Sequence, residues 1–165
     1  MRRVSALLSV AALVLWTVGL SAQAKPNFAG DWVREAPAGG GAPGGGGGGK
    51  GGGFGGGGFC GMECKITQTA TELTLEYQGG GQNPAPMKQV YKLDGSESKN
   101  PGRGGAEQVS KATWDGNKLV ITTTTQAGDQ KRVLSLEGGN LVVDATTPAR
   151  DGGAPTTTKI TFKKK

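Results

Sequence analysis

The two cysteines carry the most reactive side chains in the sequence, and they lie close together. Three residues separate Cys60 from Cys64, whereas thioredoxin-like redox pairs and zinc ribbons have two. In an oxidising compartment, cysteines at this spacing favour one structural disulfide, with Gly61 easing the tight turn. Free thiols and a redox or metal role are the alternatives, but the sequence offers no identifiable electropositive partner.

Histidine is absent from the chain, which removes several kinds of chemistry. Ser-His-Asp and Cys-His nucleophile systems and histidine-ligated metal sites all need an imidazole. The 13 acidic residues fall mostly in turns or on solvent faces of predicted strands, where turn chemistry explains them. Residues 44–50 match Gly-x4-Gly-Lys, but Gly51 replaces the required Ser or Thr and no helix follows. We therefore expect no catalytic residues, no metal, no cofactor and no enzymatic activity.

Three aromatic residues with polar tips are the candidate ligand contacts: Tyr77, Tyr91 and Trp114. Inside a closed sheet, such side chains would line a pocket for a small apolar or amphipathic ligand. The alternative is that they simply fill the core, because an eight-stranded barrel is barely wide enough for its own side chains.

The N-terminus has the pattern of a cleaved secretory signal peptide. Arg2 and Arg3 precede a mostly apolar stretch over residues 4–20, and Ala22-Gln23-Ala24 has the small-x-small cleavage pattern. We expect residues 1–24 to be removed, which leaves residues 25–165 as one domain with no transmembrane segment. The expected location is periplasmic or secreted.

Charge and composition vary along the chain. The formal net charge is +6, but it comes largely from Arg2, Arg3 and the terminal residues 163–165, so we do not expect nucleic-acid binding.

Residues 39–58 hold 16 of the 32 glycines. Because glycine loses the most entropy on ordering and has no side chain to bury, this stretch is predicted to be a flexible loop.

The remaining sequence predicts strands and no helix. Apolar residues alternate with polar ones, as in Leu73-Thr74-Leu75-Glu76-Tyr77, and Asp115-Gly116 is a strong hairpin signal. The sequence from Asp115 to Thr122 is echoed 22 residues later, as a β-meander would produce. The predicted strands are A (28–34), B (63–69), C (71–78), D (87–94), E (107–114), F (118–126), G (130–137), H (140–146) and I (156–163).

Because each strand has one polar and one apolar face, we expect a sheet with one face exposed to solvent and the other buried. An antiparallel up-and-down meander of eight or nine strands favours a closed barrel, because closure removes exposed edges. The glycine-rich loop would then connect strands A and B. The predicted inward set is Phe28, Trp32, Ile66, Leu73, Leu75, Tyr77, Tyr91, Leu93, Trp114, Leu119, Ile121, Leu134, Leu136, Leu141, Val143, Ile160 and Phe162.

The Phe-x-Gly-x-Trp opening formed by Phe28, Gly30 and Trp32 resembles the first signature of lipocalins and the wider calycin families. Residues 91–95 and 114–119 look like those of exported bacterial lipocalin-like proteins of unknown function. The resemblance implies a barrel in which Trp32 plugs the closed end and the first loop covers the open end. Two features depart from it: the C-terminal helix is absent, and the arginine that stacks on the tryptophan has no clear counterpart, with Arg132 as the candidate.

These observations predict an exported, non-enzymatic, lipocalin-like protein that binds a small apolar or amphipathic ligand. The alternative is a structural or interaction module of the cell envelope, with a filled barrel and no small-molecule ligand.

Overall fold

The structure is a computed structural model that describes residues 24–36, 59–79, 85–102, 106–149 and 152–165. The predicted leader, apart from Ala24, and the predicted glycine-rich loop over residues 39–58 lie outside the described residues. Every described regular element is a β-strand.

The ten strands follow one another with short connections over most of the chain. Their bounds are β1 Gly30–Arg34, β2 Glu63–Gln68, β3 Glu72–Gln78, β4 Pro86–Lys92, β5 Glu97–Pro101, β6 Glu107–Asp115, β7 Lys118–Thr125, β8 Gly128–Glu137, β9 Asn140–Thr147 and β10 Thr156–Lys164.

All ten strands belong to one antiparallel sheet in the order β4-β3-β2-β1-β10-β9-β8-β7-β6-β5. Each strand pairs with its sequence neighbour, except at β4 and β5, and β1 pairs with β10. The sheet therefore curves into a nearly closed up-and-down barrel, which confirms the predicted fold class. The meander has ten strands rather than eight or nine.

The strand register places most of the predicted apolar set inside the barrel. In the β2–β3–β4 region, Ile66 pairs with Leu75, and Leu73 pairs with Tyr91. Tyr77 and Trp114 are partly buried against this core. Leu136 differs from the prediction: it is 37% exposed, because it lies beside the Gly138-Gly139 turn at the end of β8.

The sequence does not predict β5, and the composition of that strand explains why. Its sequence, Glu-Ser-Lys-Asn-Pro, has no apolar side chain on its buried face. The buried side chains are Ser98 and Asn100, and they hydrogen-bond to the backbone of β4. The Val90 N–H donates to Asn100 Oδ1 (2.7 Å), and Asn100 Nδ2 donates to the Val90 carbonyl (2.9 Å). The Lys92 N–H donates to Ser98 Oγ (2.9 Å). Side chains thus bridge the seam between β4 and β5.

The connections join strand ends in two groups that define two ends of the barrel. We call the end with the β1–β2, β3–β4, β5–β6, β7–β8 and β9–β10 connections the mouth, and the opposite end the base. At the base, Gly116 has a φ of +57° in the predicted Asp-Gly hairpin between β6 and β7, a conformation that favours glycine.

The N-terminal segment before β1 closes the base. Phe28 is fully buried, and its carbonyl accepts a hydrogen bond from Nε1 of the buried Trp32 (2.9 Å). Gln68 holds the same segment: its Oε1 accepts from the Phe28 N–H (2.9 Å) and its Nε2 donates to the Pro26 carbonyl (3.0 Å). Gly30, the third residue of the opening motif, faces the aliphatic part of Lys164 at the first position of β1.

Candidate functional site

A cavity of about 150 Å³ lies at the mouth of the barrel. Four strands and the turn before β2 contribute to its wall, so its shape depends on the closure of β1 against β10. Six of its nine lining residues are polar or cationic, in contrast to the mostly apolar core. We call it the mouth cavity; its lining residues are Arg34, Phe59, Gln130, Arg132, Ala145, Thr146, Thr147, Thr158 and Ile160.

A disulfide fixes the turn that carries Phe59 into this cavity. Cys60 and Cys64 are bonded, with Cα atoms 5.0 Å apart, which confirms the predicted pairing. Gly61 between them has a φ of +59°, and a Cβ there would lie 3.3 Å from the Gln78 carbonyl oxygen. Phe59 is buried and stacks on Tyr91, with ring centroids 6.4 Å apart. The disulfide turn therefore holds an aromatic ring over the interior.

Two of the three predicted ligand contacts, Tyr77 and Tyr91, are close enough to the same arginine for its charge to act on both. Burial raises the pKa of Tyr91 to about 12, and the positive charge of Arg132 opposes that rise. Burial also raises the pKa of Tyr77, again opposed by Arg132. The Tyr91 hydroxyl donates to Gln89 Oε1 (2.7 Å). Around Tyr91, the barrel interior thus contains two neutral phenols, an amide and a cation.

The third predicted contact, Trp114, lies at the base. It stacks against Phe28, with ring centroids 6.0 Å apart and nearly parallel planes. Lys25 Nζ lies 5.2 Å from the centre of the Trp114 ring, within the range of a cation–π interaction. The structure therefore separates Trp114 from the mouth cavity and places it in the packing that closes the base.

Two arginines of the mouth cavity were not expected there from the sequence: Arg34 has no predicted role, and Arg132 is expected only as a stacking partner for the tryptophan. Both line the mouth cavity. The alternating pattern indicates that both arginines face inward, because Arg34 lies two residues after the inward Trp32, and Arg132 lies two before the inward Leu134. Extending the inward phase by one step in each strand places both side chains inside.

A second depression, of about 460 Å³, lies on the outer face of β1–β4. Its charged side chains alternate in sign across the sheet, because Asp31 pairs with Lys65, Lys65 with Glu76, and Glu76 with Lys88. The Lys88–Glu76 pair has an N–O distance of 3.7 Å. Since each charge faces an opposite one, this outer groove is already electrostatically balanced.

Metal-binding clusters and membrane-spanning helices are both missing from the part of the chain that the structure describes. No group of three or more Cys, Asp or Glu side chains among the described residues is arranged to hold a metal ion. No helix in the same residues is long and apolar enough to cross a membrane.

The barrel resembles solved proteins of the same shape. Zebrafish ileal bile acid-binding protein complexed with cholic acid matches with a TM-score of 0.55 and 20% identity, over 83% of this chain and 98% of that one. A single-residue mutant of the fluorescent protein UnaG matches with a TM-score of 0.51 and 18% identity, over 62% and 70% of the two chains. No protein-family model and no curated protein matches the sequence. At these identities the likeness concerns the fold alone, an antiparallel up-and-down β-barrel.

Proposed function

We propose that this protein is an exported, non-enzymatic barrel that binds a small amphipathic molecule. The observation that carries the proposal is the set of polar groups inside the barrel. Tyr91 is 2% exposed, and Arg132 is near enough for its charge to act on that phenol. A few polar groups that converge in a mostly apolar pocket are typical of ligand sites.

The structural likeness supports the same proposal. The zebrafish barrel that covers most of this chain was solved with cholic acid, a small amphipathic molecule. By analogy, an apolar portion of the ligand would contact Phe59, Tyr77 and Tyr91, and its polar portion would face the mouth. Trp114 would be reached only by a ligand that extends through the interior to the base.

A filled cell-envelope module that uses no small ligand is the second candidate. The observation that favours it is size: the mouth cavity has about 150 Å³, whereas ligand pockets typically have about 300–1,000 Å³. Binding of a larger ligand would therefore require the mouth to widen.

Binding of an uncharged probe separates the two candidates. We expect N-phenyl-1-naphthylamine to gain fluorescence with saturable, one-to-one binding, and Tyr91→Leu to weaken that binding because it changes the wall beneath Phe59. Trp114→Phe serves as the matched aromatic control at the base, and it should leave the affinity unchanged. If the wild-type protein shows no saturable binding of either this probe or cholate, the filled-module candidate is favoured.

Export is a separate part of the proposal and has its own test. We propose cleavage after Ala24, so the secreted or periplasmic protein should begin at Lys25. N-terminal sequencing of protein expressed from the full chain in a bacterium measures this directly. A protein that stays in the cytoplasm with Met1 intact would contradict export without bearing on ligand binding.

A further inference from the structure

The charged side chains of the described residues are sorted between the two faces of the barrel. Every described lysine is exposed, and every described Asp or Glu is exposed except Asp144, which is half-buried. Asp144 pairs with Val133 and Lys159 on the outward register of β9. The two described arginines are instead half-buried, and both line the mouth cavity.

The mouth cavity consequently holds two cations and, among its described lining residues, no carboxylate. Arg132 Nη2 is 3.4 Å from Gln130 Oε1, a long contact with a neutral group. Residues outside the described ranges include one acid, Asp151, and residues 37–58 include none. Withdrawing a guanidinium from water without an anionic partner is unfavourable, so this arrangement favours uptake of an anion.

The remaining lining groups suit an oxyanion. Thr147 and Thr158 belong to the neighbouring strands β9 and β10 and offer hydroxyl donors beside the two guanidinium groups. Guanidinium groups pair well with planar or tetrahedral oxyanions, because two N–H groups can donate in parallel. The volume of about 150 Å³ is below the roughly 300–1,000 Å³ of typical ligand pockets, so the ligand group must be compact.

We propose that the mouth cavity binds a compact oxyanion, a carboxylate or a phosphate group, between Arg34 and Arg132. This inference rests on the proposed small-molecule binding and adds the chemical class and size of the group that is recognised. It assigns the anionic group to the rim of the barrel beside Phe59, and any short apolar portion to the interior below it.

The experiment compares three probes that share a four-carbon chain: butyrate, butyl phosphate and the uncharged butanol. Each is titrated into the full-length protein, and binding is followed by backbone amide chemical shifts in NMR spectra. We expect at least one anion to saturate, with the largest shifts at Thr147 and Thr158, and butanol to bind about tenfold more weakly or worse. The preference between butyrate and butyl phosphate identifies the type of oxyanion.

Charge-removing variants test the two arginines. Arg132→Gln and Arg34→Gln should each weaken binding of the preferred anion about tenfold or more. The matched control is Lys131→Gln, which removes the same charge from the adjacent outward position of β8 and should leave binding unchanged. Arg132→Lys keeps the charge but loses the two-pronged geometry, so it should bind with intermediate affinity. The amide spectrum of each variant reports whether the barrel is folded.

Three results would overturn the oxyanion site. One is equal binding of butanol and the anions, and another is an equal loss of binding in Lys131→Gln and Arg132→Gln. The third is the absence of saturation with both anions. If N-phenyl-1-naphthylamine still binds in these cases, the proposed small-molecule binding stands and the oxyanion inference alone is rejected.

Discussion

The seam between β4 and β5 gives the sharpest prediction about stability. Asn100 is 5% exposed, and its side-chain amide bonds to both the N–H and the carbonyl of Val90, as a neighbouring strand would. Replacing Asn100 with Ala removes both bonds and leaves two backbone groups unpaired at a partly buried seam. A buried polar group without a partner costs about 1–3 kcal/mol, so we expect Asn100→Ala to lower the free energy of unfolding by about 2–4 kcal/mol.

That loss is large against the roughly 5–15 kcal/mol that stabilises a typical domain. Urea unfolding followed by tryptophan fluorescence measures it, and hydrogen exchange of the Val90 amide localises it. We expect the Val90 amide to exchange much faster in the variant, because its acceptor has been removed. The matched control is Lys99→Ala, on the exposed face of the same strand, where the solvent-exposed ion pair with Glu107 contributes little to stability.

Asn100→Asp refines the test, because it retains an acceptor for the Val90 N–H but loses the donor to the Val90 carbonyl. A carboxylate facing that carbonyl oxygen should make the variant less stable than the wild type near neutral pH. An Asn100→Ala free energy of unfolding within about 0.5 kcal/mol of the wild-type value, with the Val90 amide still protected, would refute this role for Asn100.

Three other changes have expected outcomes. Between about pH 10 and 12 the folded state keeps a Tyr91 proton that the unfolded state has lost, so the free energy of unfolding should fall by about 2–3 kcal/mol. Urea unfolding at a series of pH values measures this fall, and Tyr91→Phe should reduce it. Replacing Cys60 and Cys64 together with Ser should cost about 2 kcal/mol in thermal unfolding, since the closed loop is short, and an unchanged midpoint would contradict this. Phe28→Ala should cost about 3–5 kcal/mol by calorimetry, and a smaller loss would show that the base collapses around the gap.

Most of the fold could be predicted because most strands carry an apolar residue at every second position. This pattern fixes both the strand and its inward face, as in β3, where Leu73 and Leu75 are buried. β5 lacks that signal, because what stabilises it is hydrogen bonding of Ser98 and Asn100 to another strand. No rule based on hydrophobic periodicity detects a strand whose buried side chains are polar.

The candidate site is harder to predict than the fold, for a related reason. The chemistry of Tyr77 and Tyr91 identifies them as candidates, and the structure stacks the Tyr91 ring against Phe59. The mouth cavity itself depends on strands distant in sequence, since Arg34 is in β1 and Arg132 is in β8. Charged residues are expected to face solvent. For these two arginines, the position in the strand decides the direction of the side chain, and the residue type does not.

The pairing of β1 with β10 has a consequence for the order in which the barrel folds. The Lys165 N–H donates to the Asp31 carbonyl (2.9 Å), and Trp32 lies opposite Lys164, so the first strand is completed by the last. The chain cannot form this contact until residues 156–165 are available. Until then β1 and β9 would present open edges, so their pairing through β10 is a late step in folding. A chain truncated before β10 should therefore be aggregation-prone and protease-sensitive, and it should not form a smaller barrel.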